Sequence, residues 1–371
     1  MARSIIKSCN DEQFAVLCYS EEGFKRKDVN GTRVFSSSLL KRGRKVDLEE
    51  LEKQLRIVYE EFEPDIVHGH NLSYSFNPEK TKLIHGFFKK KCPVIEHAHH
   101  AYINRKNFAE RTISLDWDKI ITVSRFAYKR ISPLREDKKN ICIIENCVDK
   151  ELFDYRKRRD GIKEKEKLGI DNNKKVFLFP SRPVRISTGE IGEQKQLKTV
   201  LKALSLFKKG AFSDFLLLTA NLSGYHKEGM KAIEDGFKKE VSRYGILENL
   251  IIFPRDLDHR EMYKIYAMGD ITLFPSLNES FGLVALESMA MGVPVVGASS
   301  GGVKEIINDG RTGLLIPPRD HKTLALCIER LTKEKGLYKR LMVGGLEEVQ
   351  KYDIYQYGLK IKGVWDSSLE S

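Results

Sequence analysis

Two glutamates carry the first chemical signal in this sequence. Glu279 and Glu287 lie eight positions apart (287 − 279 = 8) within the segment 274–317. A strand ending at Pro275-Ser276 leads into Leu277-Asn278-Glu279-Ser280-Phe281-Gly282, and an apolar helical run then extends to Met291, with Gly292 and Pro294 as its stop. Glu279 therefore belongs to the strand-to-helix turn and Glu287 to the helix, with Asn278 or Ser280 available as the helix cap. In a doubly wound sheet such turns border the crevice where ligands bind, and their free backbone N–H groups favour anions. Carboxylates also accept hydrogen bonds from vicinal hydroxyls, so two at this spacing could grip the two ends of a polyol. Acidic residues that simply favour a helix start are the plainer reading of the same pattern. Gly301 and Gly302 follow the next strand and allow close backbone approach to a ligand. Five of the nine histidines (His68, His70, His97, His99 and His100) fall at two neighbouring strand ends, a grouping with the donor atoms of a metal site. Neither G-x-G-x-x-G nor a phosphate loop ending in Gly-Lys-Ser/Thr is present, which argues against dinucleotide and ATP chemistry.

The elements that must position these residues alternate along the chain. Short apolar runs read as strands at 13–19, 32–36, 65–68, 93–96, 119–123 and 140–144, with an amphipathic helix over 47–62. A second series follows, with strands at 175–179, 215–219, 249–253, 271–274 and 293–297 and a helix marked by Leu197, Val200, Leu201, Leu204 and Phe207. Two consecutive doubly wound α/β domains fit this alternation. The charged stretch 155–167 is the candidate linker, with a solvated helix face as the other reading. The expected division is 1–170, 171–350, and a last helix over 351–371.

Taken whole, the segment 274–317 resembles the retaining, nucleotide-sugar-dependent glycosyltransferases of family 4. Their E-x7-E motif is matched by Glu279 and Glu287, and Pro275-Ser276, Phe281-Gly282, Met289-Ala290, Gly292, Pro294-Val295-Val296, Gly301-Gly302, Glu305, Gly310 and Gly313 match around it. The resemblance implies the GT-B fold, an α/β architecture of two Rossmann-like domains facing across a cleft. It gives Glu279 the transferred sugar, Glu287 the donor ribose hydroxyls, and Ser280, Phe281, Gly282, Gly301 and Gly302 the border of the donor. By the same resemblance Arg182 and Lys195 neutralise the leaving diphosphate, with Arg185 a rival across a long 186–193 insertion. Arg255 then lies in the loop bordering the base, with Asp256 and Asp258 as loop acids. In the first half, Asp65-Ile66-Val67-His68-Gly69-His70 resembles the family's Asp-x-x-His-x-His strand end, and alignment on Pro93 gives His99 the position near the donor sugar. The resemblance accounts for the histidines without a metal, so neither metal nor cofactor is expected. The partner implied is a nucleoside-diphosphate sugar, UDP-linked ahead of GDP- or ADP-linked. The acceptor class stays open among glycan, lipid-linked and small-molecule forms. A sugar phosphorylase or synthase on the same fold, or a truncated homologue that only binds, are the rival readings.

Composition frames this. The chain has 371 residues, 41% hydrophobic and 31% charged, which excludes wholesale disorder. Its net charge is +12; residues 1–170 hold 35 basic and 27 acidic side chains, leaving 29 and 25 for the remainder. This excess favours an anionic partner. No nucleic-acid motif accompanies it, and Phe87-Phe88-Lys89-Lys90-Lys91 is the candidate patch for peripheral contact with an anionic membrane. Six scattered cysteines lack C-x-x-C spacing, and neither a signal peptide nor a membrane span is evident, so a cytoplasmic setting is expected. Against the family pattern, residues 2–9 look like its first helix and 13–19 like its second strand, so the opening strand and Gly-rich loop are expected to be missing. Cys147 and Glu145 also depart from the family's Ile-Pro-Asn-Gly-Val-Asp run.

Overall fold

A computed structural model of the chain describes residues 5–7, 9, 12–41, 47–100, 115–135, 137–181, 195–210, 214–219, 230–253 and 258–370. They form two compact units, one of residues 1–147 with 354–371 and one of residues 148–353.

The first unit contains two sheets. Strands β1 (Ala15–Tyr19), β2 (Lys25–Val29) and β3 (Thr32–Ser37) pair in the order β1-β3-β2, with β1 parallel and β2 antiparallel to β3. Strand β2 reads Lys-Arg-Lys-Asp-Val and is exposed throughout, so no apolar period marks it. It forms because Asn30 and Gly31 both take positive φ in the turn to β3, the chemistry a tight hairpin demands. Helix α1 (Leu48–Phe62) starts where the Asp47 side chain accepts from the Glu49 and Glu50 backbone N–H groups, and buries Leu51, Leu55 and Val58. The parallel strands β4 (Val67–His70), β5 (Val94–Ala98), β6 (Lys119–Thr122) and β7 (Ile141–Ile143) form the second sheet in chain order. Between β4 and β5, helix α2 (Pro78–Lys89) buries Ile84 and Phe88. No described strand pairs with the outer edge of β1 or of β4. The C-terminal helix (Ile354–Leu369) packs Ile354, Tyr357, Ile361 and Trp365 against Ile95, Ile121 and Ile144.

The second unit is one parallel sheet of β8 (Lys175–Phe179), β9 (Phe215–Thr219), β10 (Leu250–Ile252), β11 (Ile271–Phe274), β12 (Val295–Ala298) and β13 (Leu314–Ile316). Their order is β10-β9-β8-β11-β12-β13. Strands buried on both faces read as unbroken apolar runs, as Phe-Leu-Leu-Leu-Thr of β9 and Ile-Thr-Leu-Phe of β11 do. Each such Leu or Phe contributes roughly 1.5–3 kcal/mol on burial.

The charged stretch is not a linker. A 3-10 turn (Tyr155–Arg159) runs into α3 (Asp160–Lys167), which belongs to the second unit. A Cβ on Gly161 would stand 2.2 Å from the Ala267 carbonyl oxygen, so glycine lets this helix lie directly on a neighbouring backbone. The units divide at Cys147/Val148, ahead of the expected residue 170, for this reason. The candidate membrane patch divides between core and surface. Phe88 is buried in the core, whereas Phe87 is only partly buried, and Lys91 lies over the Tyr59 and Phe87 rings at 4.3 and 5.3 Å. No described helix is long and apolar enough to cross a membrane.

Candidate active site

Strand order in the second unit reverses between β8 and β11, and the crevice at such a switch point is where open parallel sheets bind ligands. Two residues foreseen as functional meet at this end of the sheet. Lys195 immediately precedes the N-cap of α4 (Leu197–Lys209), and its Nζ ion-pairs with Oε1 of Glu279 in the turn after β11. Their side chains are 31% and 15% exposed, so the pair is partly desolvated yet open to solvent. The Lys195 ammonium also stands 6.0 Å from the centre of the Phe274 ring. Arg182, Arg185 and Arg255 lie outside the described residues, as does Asp256. Asp258 caps the short turn at His259, accepting from the Arg260 N–H.

The turn that carries Glu279 is braced by the glycine pair. A Cβ on Gly301 would come 2.5 Å from the Glu279 carbonyl oxygen, and one on Gly302 would come 2.4 Å from that of Ser280. The Gly302 N–H donates to the Glu279 carbonyl at 2.8 Å, and the Ser300 hydroxyl donates to the Leu277 carbonyl. The close approach these glycines permit is thus to the Glu279–Phe281 backbone. Ser280 is buried, and Phe281 packs edge-on against Tyr352 at 5.8 Å. The expected helix cap is displaced. Helix α6, following α5 (Tyr263–Met268), spans Leu283–Ala290, and its N-cap is Gly282 at φ 121° with no side-chain cap bond, so neither Asn278 nor Ser280 caps it.

Glu287 lies on α6 and is partly buried. Its Oε2 accepts from the Tyr266 hydroxyl at 2.7 Å, while Oε1 has no partner among the described residues. Burial lifts its carboxyl to about 7, against the opposing pull of the Tyr266 hydrogen bond. Tyr266 is fully buried on α5, braced by the edge of Phe153 at 5.9 Å. Nothing local in the sequence marks Tyr266; it is an apolar-face residue of a short helix 21 positions away from its partner.

In the first unit, His68 and His70 on β4 and His97 and His99 at the end of β5 form one stacked ladder. Ring centres lie 4.7 Å apart for His68–His70, 5.1 Å for His70–His99 and 4.1 Å for His97–His99. The strand pairing of His70 with His97 aligns them. Burial, then mutual repulsion, holds His68, His97 and His99 well below the usual imidazole range, and burial lowers His70 to about 4. His100 is exposed. Ligand nitrogens of His68, His70 and His97 lie within 4.8 Å of one another, a spacing from which a metal could be gathered. The hydrogen bonds resist this. The Trp365 indole can only donate, and it donates to His68 Nδ1 at 3.1 Å. Neutral His68 therefore carries its proton on Nε2, which donates to His97 Nδ1 at 3.1 Å. The remaining His97 proton is then on Nε2, a buried atom with no partner among the described residues. A metal on the His68–His97 pair would have to break this chain.

Cys92, Cys142 and Cys327 are pushed up to about 11 by burial, and Cys147 is buried, so these thiols do not resemble nucleophiles.

Comparison with known proteins agrees with this architecture. The sequence model of the family described as Glycosyl transferases group 1 matches residues 162–345, and that described as Glycosyltransferase Family 4 matches residues 10–152. A D-inositol 3-phosphate glycosyltransferase of Thermomonospora curvata is 30% identical over 58% of this chain and 48% of its own length. A sulfoquinovosyl transferase of Arabidopsis thaliana is 28% identical over 56% of this chain and 36% of its own. The matched region thus spans about half or less of these curated relatives. Among solved structures, the sucrose-phosphate synthase of Thermosynechococcus elongatus superposes with TM-score 0.78 at 15% identity, covering 99% of this chain and 92% of that one. Anabaena HepE, crystallised with UDP and glucose, gives 0.71 at 18%, covering 91% and 86%.

Proposed function

Because the chain belongs to the group 1 glycosyltransferases of family 4, we propose that it moves a hexosyl group from a nucleoside-diphosphate sugar to a hydroxyl acceptor, with retention at the anomeric carbon. The observation that carries this reading is the Lys195–Glu279 pair at the strand-order switch point. A diphosphate leaving group needs cations where charge develops, and Lys195 is a cation held at the end of the sheet where a ligand enters. A bound diphosphate competes with Glu279 for that ammonium and releases the carboxylate toward the sugar. Arg182 supplies the second cation in this proposal. The bond between the anomeric carbon and the diphosphate oxygen breaks, the acceptor oxygen bonds to the same face, and its proton passes to the departing diphosphate. Glu279 stabilises the positive charge of the sugar and Glu287 holds the ribose hydroxyls. His99 contacts the donor sugar, in neutral form given its buried surroundings.

With two cations on the diphosphate, no metal is required in this scheme. UDP-sugars are the favoured donors; UDP in the Anabaena neighbour supports that choice. The acceptor is a glycan, a lipid-linked sugar or a small polyol, and the enzyme works in the cytoplasm. The basic excess of residues 1–170 favours an anionic acceptor or a membrane surface there. A thermal-shift screen of UDP-, GDP- and ADP-sugars with EDTA present tests the donor. Stabilisation by one nucleotide series is expected, and indifference to all three would overturn the reading.

A further inference from the structure

We propose that Tyr266 is a positioning residue for the donor: its hydroxyl fixes the Glu287 carboxylate so that Oε1 faces the ribose hydroxyls. This rests on the reading of Glu287 as the ribose contact.

The geometry is specific. Tyr266 and Glu287 come from adjacent helices, α5 and α6, and meet at 2.7 Å through Oη and Oε2. Tyr266 is fully buried and packs in a T-shaped arrangement with the Phe153 ring at 5.9 Å. One carboxylate oxygen is thereby occupied, and the other is left without a partner among the described residues. Glu287 is itself only partly buried, so the residue keeps some exposed surface. A carboxylate free to rotate about its last torsion would present either oxygen, or an average of both. Tied by one strong hydrogen bond, it presents one acceptor in one place, which is what recognition of a diol requires.

The same bond also bears on the protonation state, opposing the larger effect of burial. Only an ionised carboxylate accepts from two hydroxyls through either oxygen. Burial favours the neutral acid, and the tyrosine hydroxyl opposes it. Among the described residues, Tyr266 is the titratable side chain that acts on Glu287, and Glu287 the one that acts on Tyr266. Removing the hydroxyl therefore has two linked effects. The carboxylate loses its orientation, and its titration moves to higher pH.

The test uses UDP as the probe, titrated calorimetrically into the full chain at several pH values from about 5.5 to 8.5, a span that brackets the Glu287 transition. In wild type, affinity should rise as pH passes through about 7, the Glu287 transition. Tyr266→Phe keeps the ring in its apolar slot, so its melting temperature is expected to stay close to wild type. At the alkaline end it should weaken UDP about tenfold, the cost of losing one hydrogen bond to a charged group. The midpoint of its pH profile should move up by about one unit. Ionisation of UDP itself is common to both proteins and cancels in their difference. Glu287→Gln separates the two claims. It should weaken UDP and flatten the Glu287-dependent part of the profile. If Glu287→Gln weakens UDP but Tyr266→Phe leaves both affinity and midpoint unchanged, the positioning role is overturned and the ribose role survives. If Glu287→Gln binds UDP as wild type does, the ribose reading itself falls. A folded Tyr266→Phe with weaker binding but an unshifted midpoint would also overturn the proposal, since a merely structural loss predicts that result.

Discussion

Gly302→Ala is a small substitution with a calculable consequence. Gly302 has φ −70°, which alanine adopts freely, so its effect is purely steric. The new Cβ would lie 2.4 Å from the Ser280 carbonyl oxygen, 2.8 Å from its carbon and 2.9 Å from the Phe281 Cα, all backbone atoms. Ordinary contact begins at 3.4 Å, so the two loops must separate by up to 1.0 Å (3.4 − 2.4). Overpacking of this kind typically costs about 1–3 kcal/mol. The separation also displaces Glu279, whose carbonyl accepts from the Gly302 N–H, and a misplacement near 1 Å at a reacting centre costs on the order of 10²-fold in rate. Chemical denaturation reads the first effect, and release of nucleoside diphosphate from the donor sugar reads the second. A variant with wild-type stability and wild-type turnover would refute the bracing role assigned to the glycine pair.

Other outcomes follow from the first unit. Lys80 is fully buried, with its ammonium donating to the Leu39 and Lys41 carbonyls at 2.7 and 2.9 Å. Lys80→Met should lower stability in a denaturant titration by about 1–3 kcal/mol for the carbonyls left unpaired; an unchanged midpoint of unfolding would contradict this. The histidine ladder is held neutral, so its folded-state values lie below the unfolded 6.5. Its contribution to stability is therefore complete above pH 6.5 and lost as pH falls toward about 4, the His70 value. His70→Gln should flatten the pH dependence of the melting temperature in that window, and an unaltered slope would count against it. Zinc should not raise the melting temperature of wild type, because Trp365 fixes the His68 proton toward His97. A clear stabilisation by zinc would show that the ladder rearranges into a metal site.

Much of the second unit is legible in the sequence because parallel strands buried on both faces leave no ambiguity. Residues 175–179, 215–219 and 271–274 read as strands and are β8, β9 and β11. Strand β2 shows no such signal, since its residues are charged and exposed; only the Asn30-Gly31 turn betrays it. The stretch 155–167 misleads because charge density is visible in a sequence, whereas the backbone contact at Gly161 is not. The same limit applies within the site. Glu279 and Glu287 are marked by spacing, but the meeting of Lys195 with Glu279 spans 84 positions and that of Tyr266 with Glu287 spans 21. Such pairs are created by the strand order of the sheet. The glycine pair is visible as a turn, yet its use against the Glu279–Phe281 backbone emerges only when β11 and β12 lie side by side.

The central claim is that Glu279 and Lys195 form the reacting end of a nucleotide-sugar site. The most direct measurement is release of nucleoside diphosphate by wild type, Glu279→Gln and Lys195→Met, with the preferred donor and EDTA present. Both variants should fold as wild type does and lose turnover by orders of magnitude, while the wild-type rate is unaffected by the chelator. Near-normal release by Glu279→Gln, or a wild-type rate abolished by EDTA, would contradict the account.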